Sequence, residues 1–195
     1  MGAKETRENI VEAANVLIYQ RGYENTSFDD IAGHVRISRG NFYYHFKTKD
    51  EILDAVIDER LTATKQILDT WEADAAGPAD CVRSFIDILL DNRLDIENYG
   101  CPVGTLSTEL AKLNHAVQPE ANRLFTLFRT WLRRQFTELG SGEDADDLAM
   151  HLLARSQGVA TLATAYRDEA FVRREVQAMY DWLDDRVLSA PGSIS

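Results

Sequence analysis

Apolar residues recur every three to four positions along almost the whole chain, and no stretch alternates apolar and polar residues between turn signals as a half-buried strand would. This periodicity predicts an all-α protein built from packed helices. Gly and Pro, 11 and 4 in 195 residues, are too sparse for a disordered chain and read as punctuation between helices. Helices are expected at about 6–21, 28–35, 39–45, 49–74, 79–97, 102–113, 117–139, 144–167 and 169–188, nine in all, with Ala75-Ala76-Gly77-Pro78 as the one clear linker. The residues after Leu188 predict a flexible tail, 189–195. No run of about 18 apolar residues is present and no apolar stretch follows the basic residues at the N-terminus, so neither a membrane span nor a signal peptide is expected, and a cytoplasmic location is.

The net charge of -11 argues at first against a nucleic-acid ligand, because cations that neutralise phosphates dominate affinity for DNA. Its distribution matters more. Residues 1–60 carry -3 and residues 61–195 carry -8, yet from Ile31 through Lys49 there is no acidic residue at all, while Arg36, Arg39, Lys47 and Lys49 fall in that window with His34 and His45. A solvated basic face and a DNA-facing one both fit this local footprint. Cys81 and Cys101 lie 20 residues apart without a CxxC or a His-rich neighbour, which argues against a disulfide framework or a zinc site.

Two short helices sit around the cationic window. Ile10, Ala14, Leu17 and Ile18 give the first helix an inner face, and Gly22 supplies its C-cap. Thr26 and Ser27 offer capping oxygens to a second helix with Asp29 and Asp30 in its first turn and Phe28, Ile31, Ala32 and Val35 on its inner face. After a turn at Arg36-Ile37, Ser38 caps a third helix, Arg39 to His45. Helical geometry sets Phe42 and Phe46 inward, Gly40 and Tyr44 outward, and Asn41 and Tyr43 beside them. Such a pair of helices is a helix-turn-helix whose second helix enters the major groove. Asn41 suits adenine, Arg39 suits guanine, and the tyrosines suit phosphates, sugars and thymine methyls. Packing roles for Tyr43 and Tyr44 and a structural hydrogen bond for His45 fit the same residues.

The run Thr26-Ser27-Phe28-Asp29-Asp30-Ile31-Ala32, followed by Ile37-Ser38-Arg39-Gly40-Asn41-Phe42-Tyr43-Tyr44-His45-Phe46-Lys47-Thr48-Lys49-Asp50-Glu51, resembles the signature of the TetR family of bacterial regulators over roughly residues 6–55. The resemblance implies DNA contacts from Thr26, Ser27, Arg39, Asn41, Tyr43, Tyr44, His45 and Lys49, with Lys49 on a phosphate at the start of the fourth helix. Gly40 and Arg36 belong to the same expected surface. Where many family members carry a turn glycine, this chain has Arg36. Either the left-handed backbone is kept there, at a cost of about 1 kcal/mol for a non-Gly residue, or the turn is reshaped.

The resemblance divides the chain into a DNA-binding domain, 1–48, and a ligand-binding and dimerisation domain, 49–188, joined by the helix at 49–74. Two apolar stripes, Leu148, Leu152, Ser156, Val159 and Ala163 on one helix and Val172, Val176, Met179 and Leu183 on the next, face either the monomer's own core or a partner; the resemblance implies a homodimer through an intermolecular four-helix bundle. A pocket for a small-molecule effector is expected among Phe85, Leu89, Cys101, Thr105, Leu106, Glu109, Phe125, Phe128, Trp131, Gln157 and Thr161, with Arg155 and His115 as further polar anchors, although the apolar members serve equally as core.

Gly100-Cys101-Pro102-Val103-Gly104 resembles a Gly-Cys-x-x-Gly stretch of some family members, which raises a thiol-sensing alternative beside that of a buried Cys. Catalysis through Cys101, Glu109 or His115 lacks any nucleophile, metal or phosphate-loop motif, so no enzyme, cofactor or metal is expected. The acidic remainder argues against an architectural binder without sequence preference. The expected function is an operator-binding repressor released by its effector.

Overall fold

A computed structural model of the protein describes residues 2–189. It is all-helical, with ten α-helices and a short 3-10 turn among the described residues: α1 (Ala3–Arg21), α2 (Phe28–Val35), α3 (Arg39–His45), α4 (Lys49–Asp74), α5 (Pro78–Asp91), α6 (Arg93–Tyr99), α7 (Pro102–Lys112), α8 (Gln118–Glu138), the 3-10 turn Gly142–Asp144, α9 (Ala145–Tyr166) and α10 (Glu169–Ser189). The stretch expected as one helix over 79–97 is divided at Asn92, whose backbone (φ -101°, ψ 18°) leaves the helical region and ends α5 before α6 begins. The tail expected over 189–195 lies, past Ser189, outside the described residues.

The chain forms two compact units, Met1–Ala63 with Pro102–Leu124, and Thr64–Cys101 with Phe125–Ser195. A cut at residue 48 does not describe this packing. The first part of α4, all of α7 and the start of α8 belong with the N-terminal helices, because Leu53, Val56, Leu106, Leu110 and Ala121 bury into the same core as Ile10, Ala14, Leu17, Ile31, Phe42 and Phe46. Each fully buried Val, Leu, Ile or Phe side chain there contributes about 1.5–3 kcal/mol. Within this unit α1 packs against α2 and α7, and α2 against α3.

In the other unit α10 packs on α5 and α9, and α6 on α9. Pro78 at the first position of α5 starts a strongly one-sided helix that buries Cys81, Val82, Phe85, Ile86 and Leu89. Arg155 on α9 donates to the Glu175 carboxylate (3.0 Å) and the Ala178 carbonyl (3.4 Å), tying α9 to α10. Its polar head is therefore a structural tie rather than a ligand anchor.

Both stripes expected at a dimer interface lie inside this unit. Leu152, Ser156, Val159, Ala163, Val172, Val176, Met179 and Leu183 are buried in its core, and Leu148 packs at the edge. Of the two readings the periodicity allowed, the monomer's own core is the one observed, because α9 and α10 pack on α5 and on each other and bury these side chains between them. The outward face of α9 carries Met150 (42% exposed), Ala154, Gly158 and Leu162 (41% exposed), and a side chain added at Gly158 would meet open space.

Candidate nucleic-acid interface

Local capping fixes the helix-turn-helix. Thr26, expected to face DNA, is instead buried, its hydroxyl donating to the Gly22 carbonyl (2.8 Å). This closes the loop between α1 and α2 and withdraws the side chain from the surface. Ser27 caps α2: its Oγ accepts the Asp30 N–H (3.2 Å), while the Asp30 carboxylate accepts the Ser27 N–H (2.9 Å). The Ser27 hydroxyl also donates to that carboxylate, and this bond first, with the one from the Ser27 N–H second, holds the Asp30 carboxyl below its usual range. Ser38 caps α3 in turn, its Oγ accepting the Asn41 N–H at 3.3 Å.

The turn between the helices keeps the left-handed backbone. Arg36 ends α2 at φ 61°, ψ 45°, and its N–H reaches the Ala32 and Gly33 carbonyls. A non-Gly residue there costs about 1 kcal/mol, and here it also leaves an exposed guanidinium beside the start of α3.

Phe42 and Phe46 are buried as expected, Phe42 resting on Phe28 with ring centroids 4.9 Å apart. Their burial turns Gly40, Asn41, Tyr43 and Tyr44 to solvent, and Tyr44 is 71% exposed. Tyr43 leans edge-on against Phe28 (5.5 Å), and Tyr44 against His45 (5.0 Å), so each phenol is supported by a neighbouring ring while its hydroxyl end stays free of the core. Gly40 has no atom within 4 Å of where a side chain would begin. Nothing inside the fold demands glycine there; the room it leaves is on the outside, where a base or phosphate backbone would approach.

Charge is arranged around this face. Arg39 reaches across to α2 and grips both oxygens of Asp29, with Nε to Oδ1 at 2.6 Å. The hydrogen bond from Arg39 is the main reason the Asp29 carboxyl lies below its ordinary range. Both groups are well exposed, and such pairs are weak in water, so a nucleic acid can take the guanidinium from Asp29. Lys47 donates to the Tyr43 carbonyl. Lys49 starts α4, donates to the Glu24 carbonyl (3.1 Å) and stands 4.3 Å from the centre of the Tyr23 ring; partial burial is what lowers its affinity for a proton.

The residues expected around an effector are divided between the units. Leu106 is part of the core of the N-terminal unit, and Thr105 is exposed in the same unit. Glu109 accepts the Tyr23 and Glu24 backbone N–H groups (2.8 and 2.9 Å) and so serves the α1–α2 loop. His115 does likewise, with Nε2 3.2 Å from the Tyr23 hydroxyl. In the other unit Phe85, Leu89 and Trp131 are core, Phe128 packs edge-on against Phe85 (5.6 Å), and Phe125 is half-buried. Gln157 donates to the Cys101 sulfur at 3.4 Å, and exposed Thr161 donates to the Gln157 carbonyl. Gly100, at φ 81°, ends α6 before Pro102 begins α7, and Gly104 lies within α7.

A cleft of about 550 Å³ in this unit lies between α4 and α8, lined by Leu68, Leu127 and Trp131, with Lys65, Arg133 and Arg134 and the carboxylates Asp69 and Glu138 among the polar groups. Only Trp131 belongs to the expected pocket. The adjacent Arg133-Arg134, in so acidic a chain, was the available signal.

Comparison with known proteins agrees with this geometry. Residues 10–56 match the DNA-binding region of the bacterial regulatory proteins of the tetR family, and residues 78–178 match the C-terminal domain of LmrA/YxaF-like transcriptional regulators. The chain is 34% identical over 125 residues to an uncharacterized helix-turn-helix transcriptional regulator in the lacX 3' region of Lactococcus lactis, covering 63% of this chain and 64% of that protein, just under two thirds of its length. It is 24% identical over 159 residues to the transcriptional repressor DhaR of Mycobacterium sp. strain GP1, covering 79% and 77%. A TetR transcriptional regulator from Legionella pneumophila has the same fold, with a TM-score of 0.79, 26% identity and coverage of 91% of this chain and 95% of that one.

Proposed function

The chain belongs to the TetR family of bacterial regulatory proteins, and from that premise we propose that it is an operator-binding repressor that acts as a homodimer and is released by a small molecule. The observation that carries this reading is the outward face of α3: Gly40, Asn41, Tyr43 and Tyr44 are presented together over a buried Phe42, with Arg36 and Arg39 at one end and Lys49 beyond the other. Amide, phenol and guanidinium groups on one short helix match the donors and acceptors of major-groove edges and flanking phosphates. The acidic bulk of the protein limits binding without sequence preference.

One such head binds weakly, and two-fold pairing of heads lets a protein read two half-sites. We assign the pairing surface to the outward face of α9, where small Ala154 and Gly158 allow close helix approach and Met150 and Leu162 supply apolar area. We assign the effector to the α4–α8 cleft, whose volume falls in the usual range for small-molecule sites and whose apolar floor is edged by Lys65 and Arg133. A ligand with an apolar body and polar groups at its edge is the class that suits it, since Asp69 and Glu138 stand at the same rim as the cations. Trp131 lies 5.7 Å from Trp71, so tryptophan fluorescence reports its occupation.

The test is binding of the purified protein to its own upstream intergenic DNA against a scrambled duplex at fixed salt, beside Tyr43→Ala and Lys49→Ala. Specific binding weakened by about tenfold in either variant is expected, at about 1.4 kcal/mol for each tenfold. If the native duplex shows no advantage, sites are selected from random DNA, and failure to enrich any sequence overturns the reading.

A further inference from the structure

We propose that Glu109 is a positioning residue for DNA binding: through the loop between α1 and α2 it sets where the Lys49 ammonium stands, and His115 secures the same loop from a second point. This role presupposes the operator-binding reading above, since Lys49 is the phosphate contact it serves.

The loop leaves two consecutive backbone donors, Tyr23 and Glu24, beyond the last turn of α1. Each is taken by one oxygen of the Glu109 carboxylate, at 2.8 and 2.9 Å. A charged acceptor with a separate oxygen for each N–H holds the loop more firmly than a neutral one. Gly22 permits the approach twice over. Its φ of 87° suits only glycine, and a Cβ there would lie 2.9 Å from Glu109 Oε1. The same peptide segment then holds Lys49: the Glu24 carbonyl accepts its Nζ at 3.1 Å, and the Tyr23 ring lies beneath the ammonium at 4.3 Å.

His115 fixes the far end of the Tyr23 ring. Its Nδ1 accepts the Val117 N–H (3.2 Å), which in the neutral ring leaves the proton on Nε2, directed at the Tyr23 oxygen 3.2 Å away. The Tyr23 hydroxyl in turn donates to Asp50 Oδ1 at 2.8 Å. Phenol, imidazole and carboxylate thus lock the ring on which Lys49 rests.

Lysine normally samples many rotamers, and one already held loses less freedom when it meets a phosphate. Only one of its three N–H donors is used here by Glu24, so two remain for an incoming oxygen. Glu109 repels DNA by its charge, so its contribution to binding is one of position.

The experiment uses the full-length protein and an operator enriched from random DNA, with affinity measured by anisotropy between 50 and 200 mM KCl. Wild type, Lys49→Ala, Glu109→Ala, Glu109→Gln and the Glu109→Ala/Lys49→Ala pair are compared. Each phosphate contact contributes about 0.9 to the slope of log affinity against log salt. Loss of about one contact in Lys49→Ala, the same loss in Glu109→Ala, no further loss in the double variant and a slope nearer wild type in Glu109→Gln are expected, since Gln keeps one acceptor for the loop. An unchanged slope in Glu109→Ala, additive losses, or identical altered slopes for the Ala and Gln variants would overturn the role, the last by assigning it to charge.

If circular dichroism shows Glu109→Ala unfolded, Glu109→Asp, which withdraws the carboxylate by one methylene and keeps its charge, replaces it in the same additivity comparison with Lys49→Ala. A wild-type protein that enriches no operator fails at the selection step, before any variant is made, and overturns the operator reading instead.

Discussion

The two units are built on the same helical pattern but turn different surfaces outward. In the N-terminal unit the face behind Phe42 is polar, aromatic and cationic: Asn41, Tyr43, Tyr44, Arg36 and Arg39. In the C-terminal unit the outward face of α9 carries small and apolar residues, Met150, Ala154, Gly158 and Leu162, with Asp147, His151 and Thr161 between them. Both interiors are closed by ordinary hydrophobic packing, so what separates the units functionally is what each leaves uncovered. A charged, hydrogen-bonding surface suits a polyanion whose base edges present fixed donors and acceptors, whereas a helix face of small and apolar residues suits another helix.

The sharpest way to break this contrast is to remove the core beneath the polar face. Phe42→Ala deletes a side chain only 1% exposed and is expected to cost about 3–5 kcal/mol, with operator binding lost. Urea unfolding followed by circular dichroism checks it, and a cost under about 1 kcal/mol would mean that α3 is not held by its aromatic core. The next largest effect is on assembly. Leu162→Arg places a charge on the outward face of α9 and is expected to turn a dimer into a monomer by sedimentation velocity, with helicity retained. Leu152→Ala, on the opposite face of the same helix, is expected to cost about 2–5 kcal/mol in unfolding. A variant pair with these outcomes exchanged would return the pairing surface to the inner stripe.

A smaller effect is expected at the turn. Arg36→Gly relieves a left-handed residue and should stabilise the protein by up to about 1 kcal/mol while weakening operator binding, so that stability and affinity move in opposite directions. The smallest concerns Asp29. Its carboxyl lies below its ordinary range because Arg39 hydrogen-bonds the charged form, so its contribution to stability is present above the unfolded-state value, about 3.9, and is lost as pH falls through the lower folded-state value. Asp29→Asn should therefore unfold at slightly lower urea than wild type at pH 7, with the difference fading in acid. The same substitution releases Arg39 and is expected to raise affinity for random DNA. A difference that grows on acidification would contradict the sign.

Local chemistry made the reading head legible. Ser27 and Ser38 mark the starts of α2 and α3 by capping, and the spacing of Phe42 and Phe46 settles which side of α3 turns outward. These relations span no more than a few residues. Thr26 belonged to the same motif but was assigned outward, because the sequence does not reveal that Gly22, four residues back, offers its carbonyl to the hydroxyl. Glu109 and His115 were beyond such reasoning: their partners, Tyr23 and Glu24, lie 85 to 92 positions away in the chain. A lone carboxylate on an apolar helix reads as a ligand anchor when the donors it satisfies are unknown.

The sequence by itself determined the helices save the division at Asn92, most of their ends and the character of the surface expected to face DNA, since periodicity, caps and turn residues act over one or two turns of chain. Only the tertiary structure decided which apolar stripes of α9 and α10 close the monomer, that α7 belongs with the N-terminal helices, and that Glu109 holds the α1–α2 loop. Those outcomes depend on which faces meet across long separations in the chain, and an amphipathic pattern specifies that a face must be covered without specifying by what.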